Sequence, residues 1–493
     1  MRKQADGPEE PIEPRLQGDV PVVDAETAAA TIAEDATVLM SGFGSVGYPK
    51  AIPLTLADSD RNLRLTVVHS GNVGDEIDVD LVESGAIDRR FSYQSSRTAR
   101  SVTNHREISF SDRNASSIGD DVQYGGMVDA DIAVVEAVAV GEGWFVPSTS
   151  IGQVPAFVDA ADELLIELNH SQPLELQSIH DIYRPDSPPN RKPIPLTGPG
   201  ERIGESYVEF DPAKLVGVVE TDRADSTYTF RDPTEDDLAI AANLRSFLSA
   251  EMERSPVFDE AIHLQFGVGS LGNALMGELQ ELDFGDRDVV YFGELIQDGL
   301  LDMIDSGRLE CASATSMAFT AEGQQRLFDD IDRYAEDIVL RPADIANHPG
   351  LIDQFGVVGV NSAIEFDIYG NVNSTHIGGK RMVNGVGGSA DYNRNALISV
   401  CALPSKLAGK DISRVVPMSF HVDHTEHDID VFVTEQGVAD VRGLSPVERA
   451  ECIIEHCAHP SFKPKLQSYL DDVKTQSNHI PHDIERAATW HDT

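Results

Sequence analysis

The chain has 493 residues, 41% hydrophobic and 25% charged, the make-up of a water-soluble protein with room for two or more domains. Its 83 Asp and Glu oppose 38 Lys and Arg, for a formal net charge of −45. Such a surface repels nucleic-acid phosphates and anionic lipid, so neither nucleic acid nor a membrane is an expected partner.

The acid is spread along the sequence rather than gathered in a tail, and it reads as the solvated surface of a salt-adapted, halophilic protein. Residues 1–18 are polar and rich in Pro and Glu, and are expected to form a flexible arm without the apolar stretch of a secretory signal. Strand-like and helix-like segments then alternate, which predicts α/β architecture with mostly parallel sheets. Val38–Met40 reads as a strand, Pro49–Leu56 as a helix, and Leu63–His69 and Asp131–Ala139 as strands. The Asp131–Ala139 region is broken by Glu136 and is too short to span a bilayer. A Pro-rich stretch, 183–200, is expected to cross the surface, and the polar segment 221–237 ends the first half.

The second half restarts with the same grammar. Ile262–Phe266 is a predicted strand, followed by Gly267-Val-Gly-Ser-Leu-Gly272, a helix to about Leu282, and a strand at Val289–Phe292. The first half carries Gly42-Phe-Gly-Ser-Val-Gly47 in the corresponding place. Two related open α/β domains follow, 19–232 and 233–493. Only the second strand end carries a carboxylate, Gly293-Glu294, where the first half has Ser70-Gly71-Asn72. Ligands of open α/β sheets bind beyond the strand carboxyl ends, so Glu294 is the leading site residue, open to the role of nucleophile, base or ribose ligand, with one site per chain expected in the cleft between the domains.

Both glycine loops match the Gly-x-Gly-x-x-Gly dinucleotide fingerprint, which keeps an NAD-dependent oxidoreductase as a rival reading. The same loops can hold a pyrophosphate or an oxyanion through backbone N–H groups. Asn384-Gly-Val-Gly-Gly388 is another loop that lets backbone approach a ligand. His421-Val-Asp-His-Thr-Glu-His427 has the residue types of a metal cluster, but hydrogen bonding within the fold is the preferred reading, and no metal is expected. Glu365 and Asp367 lie on one face of a predicted strand, open to a structural or a catalytic role. The four cysteines, Cys311, Cys401, Cys452 and Cys457, form no Cys-x-x-Cys pair and read as reduced cytoplasmic thiols.

Together these segments resemble the acetyl-CoA hydrolase/transferase family of class I CoA-transferases, nearest its succinyl-CoA:acetate branch. The likeness runs through Ser41-Gly-Phe, Gly47-Tyr-Pro-Lys50, Tyr93-Gln-Ser-Ser96, Val146-Pro-Ser-Thr-Ser150 and His180-Asp-Ile-Tyr183. It continues with Gly293-Glu-Leu-Ile-Gln-Asp-Gly299, Arg341-Pro, Asn347-His-Pro, Tyr369-Gly-Asn-Val-Asn-Ser-Thr-His376 and Thr434-Glu-Gln-Gly. The resemblance implies that Glu294 is a nucleophile forming a glutamyl-CoA thioester. It implies oxyanion donors at the Val268 and Gly388 N–H groups, and orienting roles for Asn347 and Glu435. It places CoA against Gly267, Val268, Gly269, Ser270, Leu271, Ile364, Asn384 and Gly388, with Lys406 or Lys410 on the CoA phosphates. CoA is then a substrate, with no permanently bound cofactor. The partners are acyl-CoA and short-chain carboxylates, and the chain is expected to be a homodimer. Ser226 stands where relatives carry an arginine, and so bears on acyl selectivity. Net acetyl-CoA hydrolysis is the alternative outcome of the same chemistry.

Overall fold

The computed structural model describes residues 12–94 and 96–490. Contacts group the chain into two compact units that interleave along the sequence. The first holds the residues up to Thr229 together with Tyr291–Asp298 and Cys311–Leu351; the second holds Phe230–Val290, Gly299–Glu310 and Ile352 onward.

In the first unit, parallel strands lie side by side in the order Ser109–Ser111, Ile87–Phe91, Leu65–His69, Thr37–Met40, Ile132–Gly141, Glu163–Asn169 and Leu215–Thr221. Trp144–Pro147 runs antiparallel to Ile132–Gly141 and pairs with Val208–Glu209. All ten residues of Ile132–Gly141 are buried, Glu136 included, as expected for a central strand covered on both faces. One core packs the helices Ala25–Thr31 and Ala51–Ala57 onto this sheet through Ala28, Ile32, Ile52, Leu56, Val38 and Val67. Of the expected N-terminal arm, residues 1–11 lie outside the described residues. Residues 12–18 are not a free arm: Ile12 is buried, Gln17 N donates to Val140 O at 2.9 Å, and Arg15 donates to Gln172 O at 2.8 Å.

In the second unit, Ala261–Phe266, Val358–Asn361, Ile398–Ala402 and Val431–Thr434 are parallel neighbours, and Gly437–Asp440 closes the edge antiparallel. The helices Pro446–Cys457 and Lys463–Val473 cover this sheet with Ile453, Ile454, Leu466 and Leu470. The architecture is therefore α/β with mostly parallel sheets, as the sequence predicts. Among the described residues no helix is long and apolar enough to cross a membrane. All four cysteines are free thiols.

Candidate functional site

Glu294 follows the strand Asp288–Phe292, and its contacts place it with the first unit rather than with the C-terminal half in which its sequence position puts it. The cause is local. Its carbonyl accepts from Thr315 N at 3.0 Å and Ser316 N at 3.1 Å, and Leu295–Ile296 pairs in parallel with Ser316–Met317. Ser316 is itself anchored to the first half, donating through Oγ to Phe43 O at 2.6 Å. Gly293 has to be a glycine: a Cβ there would come within 2.4 Å of the Tyr291 ring, whose hydroxyl reaches past it to Leu295 O at 3.0 Å. Tyr291 thus braces the backbone on both sides of the carboxylate.

The half-buried Glu294 side chain accepts a hydrogen bond at Oε1 from Asn347 Nδ2 at 2.8 Å. Asn347 is fully buried and caps the short helix Ala343–Ala346. Arg341 fixes that helix. Its guanidinium donates to Ser313 Oγ at 2.9 Å, to Pro199 O at 2.8 Å, to Glu201 O and to Asp181. Burial lowers the Arg341 pKa to about 10, opposed by the charge of Asp181, so the guanidinium stays charged near neutrality. Ala343 N also donates to Gly152 O at 2.8 Å. Two predicted site residues 53 positions apart, Glu294 and Asn347, are therefore brought together on a rigid support.

The two glycine loops differ in what fills them. In the first, a Cβ at Gly44 would meet Leu295 Cδ2 at 2.5 Å and one at Gly47 would meet Ser150 at 2.6 Å. Phe43 N donates to Val46 O at 3.3 Å and Ser45 N to Asn72 O at 3.0 Å. Gly47 N donates to the Asp225 carboxylate at 3.2 Å, and Lys50, Ala51 and Ile52 N all donate to Glu167. The protein's own side chains and carboxylates occupy the space a phosphate would need, so the dinucleotide reading fails for this loop. In the second loop a Cβ at Gly269 would meet no described atom within 4 Å, and Val268 is exposed. Val268 and Gly269 therefore border open space, unlike the first loop, and Gly267 and Leu271 are half-buried; the side chain of Ser270 lies outside the described residues.

The second unit also gathers other predicted residues. Gln265 and Asn361 exchange amide hydrogen bonds at 3.1 and 3.3 Å, and Asn361 Nδ2 donates to Asn393 Oδ1 at 3.0 Å. This joins the strand leading into Gly267 to the helix Ser389–Asn395, which Gly388 precedes. Asn384 is half-buried in the same loop, and Ile364 donates its N–H to Asn373 O at 2.8 Å. A cavity of about 440 Å³ holds both lysines with Glu435, Asp236 and His459. Lys406 is paired with Asp411 at 2.9 Å, whereas Lys410 is exposed. Glu435 accepts from Ser405 N at 2.7 Å and from the Ser405 hydroxyl. Ser405 is a contact that sequence reasoning missed; its place beside Lys406 was the available signal.

The histidine-rich segment is hydrogen-bonded into the fold. His421 Nε2 lies 3.1 Å from Asp423, the His376 and His421 rings stack at 3.9 Å, and His427 is exposed. Among the described residues no group of three or more His, Cys, Asp or Glu is arranged to hold a metal. Of the pair on the strand Glu365–Asp367, Asp367 is structural: its carboxylate accepts four N–H bonds from Tyr369, Asn371 and Ser419. Sequence reasoning also missed a buried cluster in which Lys50 Nζ meets Glu136 at 2.5 Å and Asp225 at 2.8 Å. A glutamate inside the otherwise apolar run Ile132–Val140 was its one signal.

The chain is similar to known proteins along nearly its whole length. Residues 19–220 match the acetyl-CoA hydrolase/transferase N-terminal domain, and residues 323–470 match the C-terminal domain of the same family. The chain is 40% identical to a succinyl-CoA:acetate CoA-transferase of Clostridium kluyveri, over 95% of this chain and 88% of that one. It is 38% identical to an acetyl-CoA hydrolase of Schizosaccharomyces pombe, over 91% of this chain and 89% of the relative. Its fold resembles the crystal structure of RipA from Yersinia pestis, with a TM-score of 0.70 at 20% identity, covering 91% of this chain and 96% of that one. An enzyme fold with a glutamate pinned at a strand end, matched along nearly its whole length by such relatives, belongs to the acetyl-CoA hydrolase/transferase family.

Proposed function

We propose that this chain is a CoA-transferase that moves CoA between a short-chain acyl-CoA (acetyl-, succinyl- or propionyl-CoA) and a carboxylate through a thioester on Glu294. The hydrogen bond from Asn347 to Glu294 carries the reading, because it orients a carboxylate held at a strand end by one of its oxygens. The Glu294 oxygen adds to the acyl-CoA carbonyl, the C–S bond breaks, and CoA thiolate leaves an acyl-glutamyl anhydride. The thiolate then adds to the glutamyl carbonyl, expelling the first carboxylate and leaving glutamyl-CoA. An acceptor carboxylate runs the same two steps in reverse, so no proton is gained or lost. Splitting one exchange into two acyl transfers is the advantage of a covalent nucleophile.

Each addition creates an oxyanion. We assign its N–H donors to Val268 and Gly388, each worth about 3 kcal/mol where such donors have been removed. The open Gly267–Leu271 loop, Ile364 and Asn384 are assigned to CoA, Lys406 and Lys410 to its phosphates, and Glu435 to orienting the acyl group. CoA enters as substrate. A cytoplasmic homodimer is the form we assign to the enzyme. The name of the fission-yeast relative favours a second outcome, in which water takes the glutamyl-CoA and the net reaction is hydrolysis.

The test is acetyl-CoA with enzyme in molar KCl, with and without succinate, following succinyl-CoA and free CoA separately. Succinyl-CoA forming faster than free CoA establishes transfer. Free CoA released at a rate that no carboxylate alters establishes hydrolysis and removes the transferase reading.

A further inference from the structure

His424 is the one histidine of the acid- and histidine-rich segment that is buried, at 1% exposure. Its backbone is locked by paired hydrogen bonds with Val372, at 2.8 and 3.1 Å. Its Nε2 lies 3.1 Å from Ser374 Oγ and 3.3 Å from Ser389 Oγ. The Ser389 hydroxyl donates its proton to Val386 O at 2.7 Å, so toward the imidazole it can only accept. With its proton on Nε2, the neutral ring donates to that oxygen. Burial favours that neutral form by lowering the pKa, against the opposing charges of Asp423 and Asp428.

Ser389 immediately follows Gly388, and Val386 lies two residues before it. The hydroxyl thus ties the loop's end to its middle, while the imidazole ties both to the Ser374 segment. That segment supports the loop's start as well, because Val383 N donates to Thr375 O at 2.8 Å. A loop that ends in Gly-Gly has little conformational preference of its own there, so side-chain anchors must set its backbone.

We propose that His424 is a positioning residue for the Asn384–Gly388 loop, acting through the hydroxyl of Ser389. The proposal rests on the transferase reading above, which gives that loop the oxyanion. His424 touches no reacting atom; it sets where the Gly388 N–H points. A misplacement of about 1 Å in such a group costs about a hundredfold in rate.

The experiment uses the full chain with His424→Leu, His424→Gln, Ser389→Ala and the His424→Leu/Ser389→Ala double variant. Gln carries an amide donor near the position of Nε2; Leu fills volume without one. Expected are a kcat lower by about ten- to a hundredfold in His424→Leu and Ser389→Ala, and little change in acyl-CoA KM. His424→Gln should recover most of the rate, and the double variant should be no slower than His424→Leu, because both changes break one link. Wild-type kcat in Ser389→Ala, or His424→Gln as slow as His424→Leu, overturns the proposal. If His424→Leu fails to fold, Ser389→Ala and His424→Gln decide alone. Amide hydrogen exchange across residues 383–390 needs no substrate and separates this idea from the functional reading. Faster exchange there in Ser389→Ala but not in His424→Gln supports the anchor even if the wild type transfers no CoA, and unchanged exchange in Ser389→Ala removes it.

Discussion

Reactivity at the residue scale comes down to how one carboxylate is held. Glu294 is gripped through its backbone by Thr315 and Ser316 and through its side chain by Asn347. Glu294→Ala is expected to abolish transfer while leaving the melting temperature unchanged. Glu294→Asp withdraws the nucleophile by one methylene and should cost several orders of magnitude in kcat/KM, read from initial rates. Near-native turnover in either variant refutes the covalent assignment. A second residue sets an acid limit. Burial lowers the His180 pKa to about 4, below the ordinary 6.5, so the fold keeps this ring neutral where the unfolded chain protonates it. Its contribution to stability is complete above pH 6.5 and is lost as pH falls from there to about 4. An NMR titration should show the His180 ring neutral at pH 5, and a midpoint near 6.5 would contradict the sign.

Buried ion pairs between distant segments do the work at the scale of elements. Arg341 joins the helix that carries Asn347 to Asp181 and Ser313, with both ionised partners fully buried. Arg341→Met takes away the ion-pair partner of the buried Asp181, at a cost of about 3–5 kcal/mol, measurable by denaturant unfolding. Loss of the Glu294–Asn347 bond should accompany it, so activity falls further than stability alone explains. The elements themselves were legible. The strands at 37–40, 65–69 and 288–292 and the glycine loops sit where apolar runs and Gly spacing put them. Their different uses were not. Gly44 and Gly269 occupy the same place in the same pattern, yet Leu295, some 250 residues from Gly44, fills the space at Gly44 while nothing described lies within 4 Å at Gly269. The Lys50–Glu136–Asp225 cluster was hidden for the same reason: its members are 86 or more positions apart, and periodicity carries no information over that range. Glu294 was legible from its strand end and Asn347 through family likeness, and only the geometry joined them.

Charge dominates at the scale of the whole molecule. A formal net of −45 on 493 residues means that most carboxylates face others of like sign. Their repulsion is screened over about 3 Å in 1 M salt and about 30 Å in 0.01 M. The melting temperature should therefore fall steeply as KCl is removed. A value that stays flat or rises would show that the acid serves something other than solvation in brine.

The interleaving of the two units has a consequence for biosynthesis. The first unit takes in Tyr291–Asp298 and Cys311–Leu351, so it has no finished form until the ribosome has passed residue 351. Until then Asp181 waits for an arginine encoded 160 codons later. Domains usually fold in order as they emerge. Here the nascent N-terminal region must instead stay soluble with a gap in its interior, and any fragment that stops before Leu351 inherits that gap permanently.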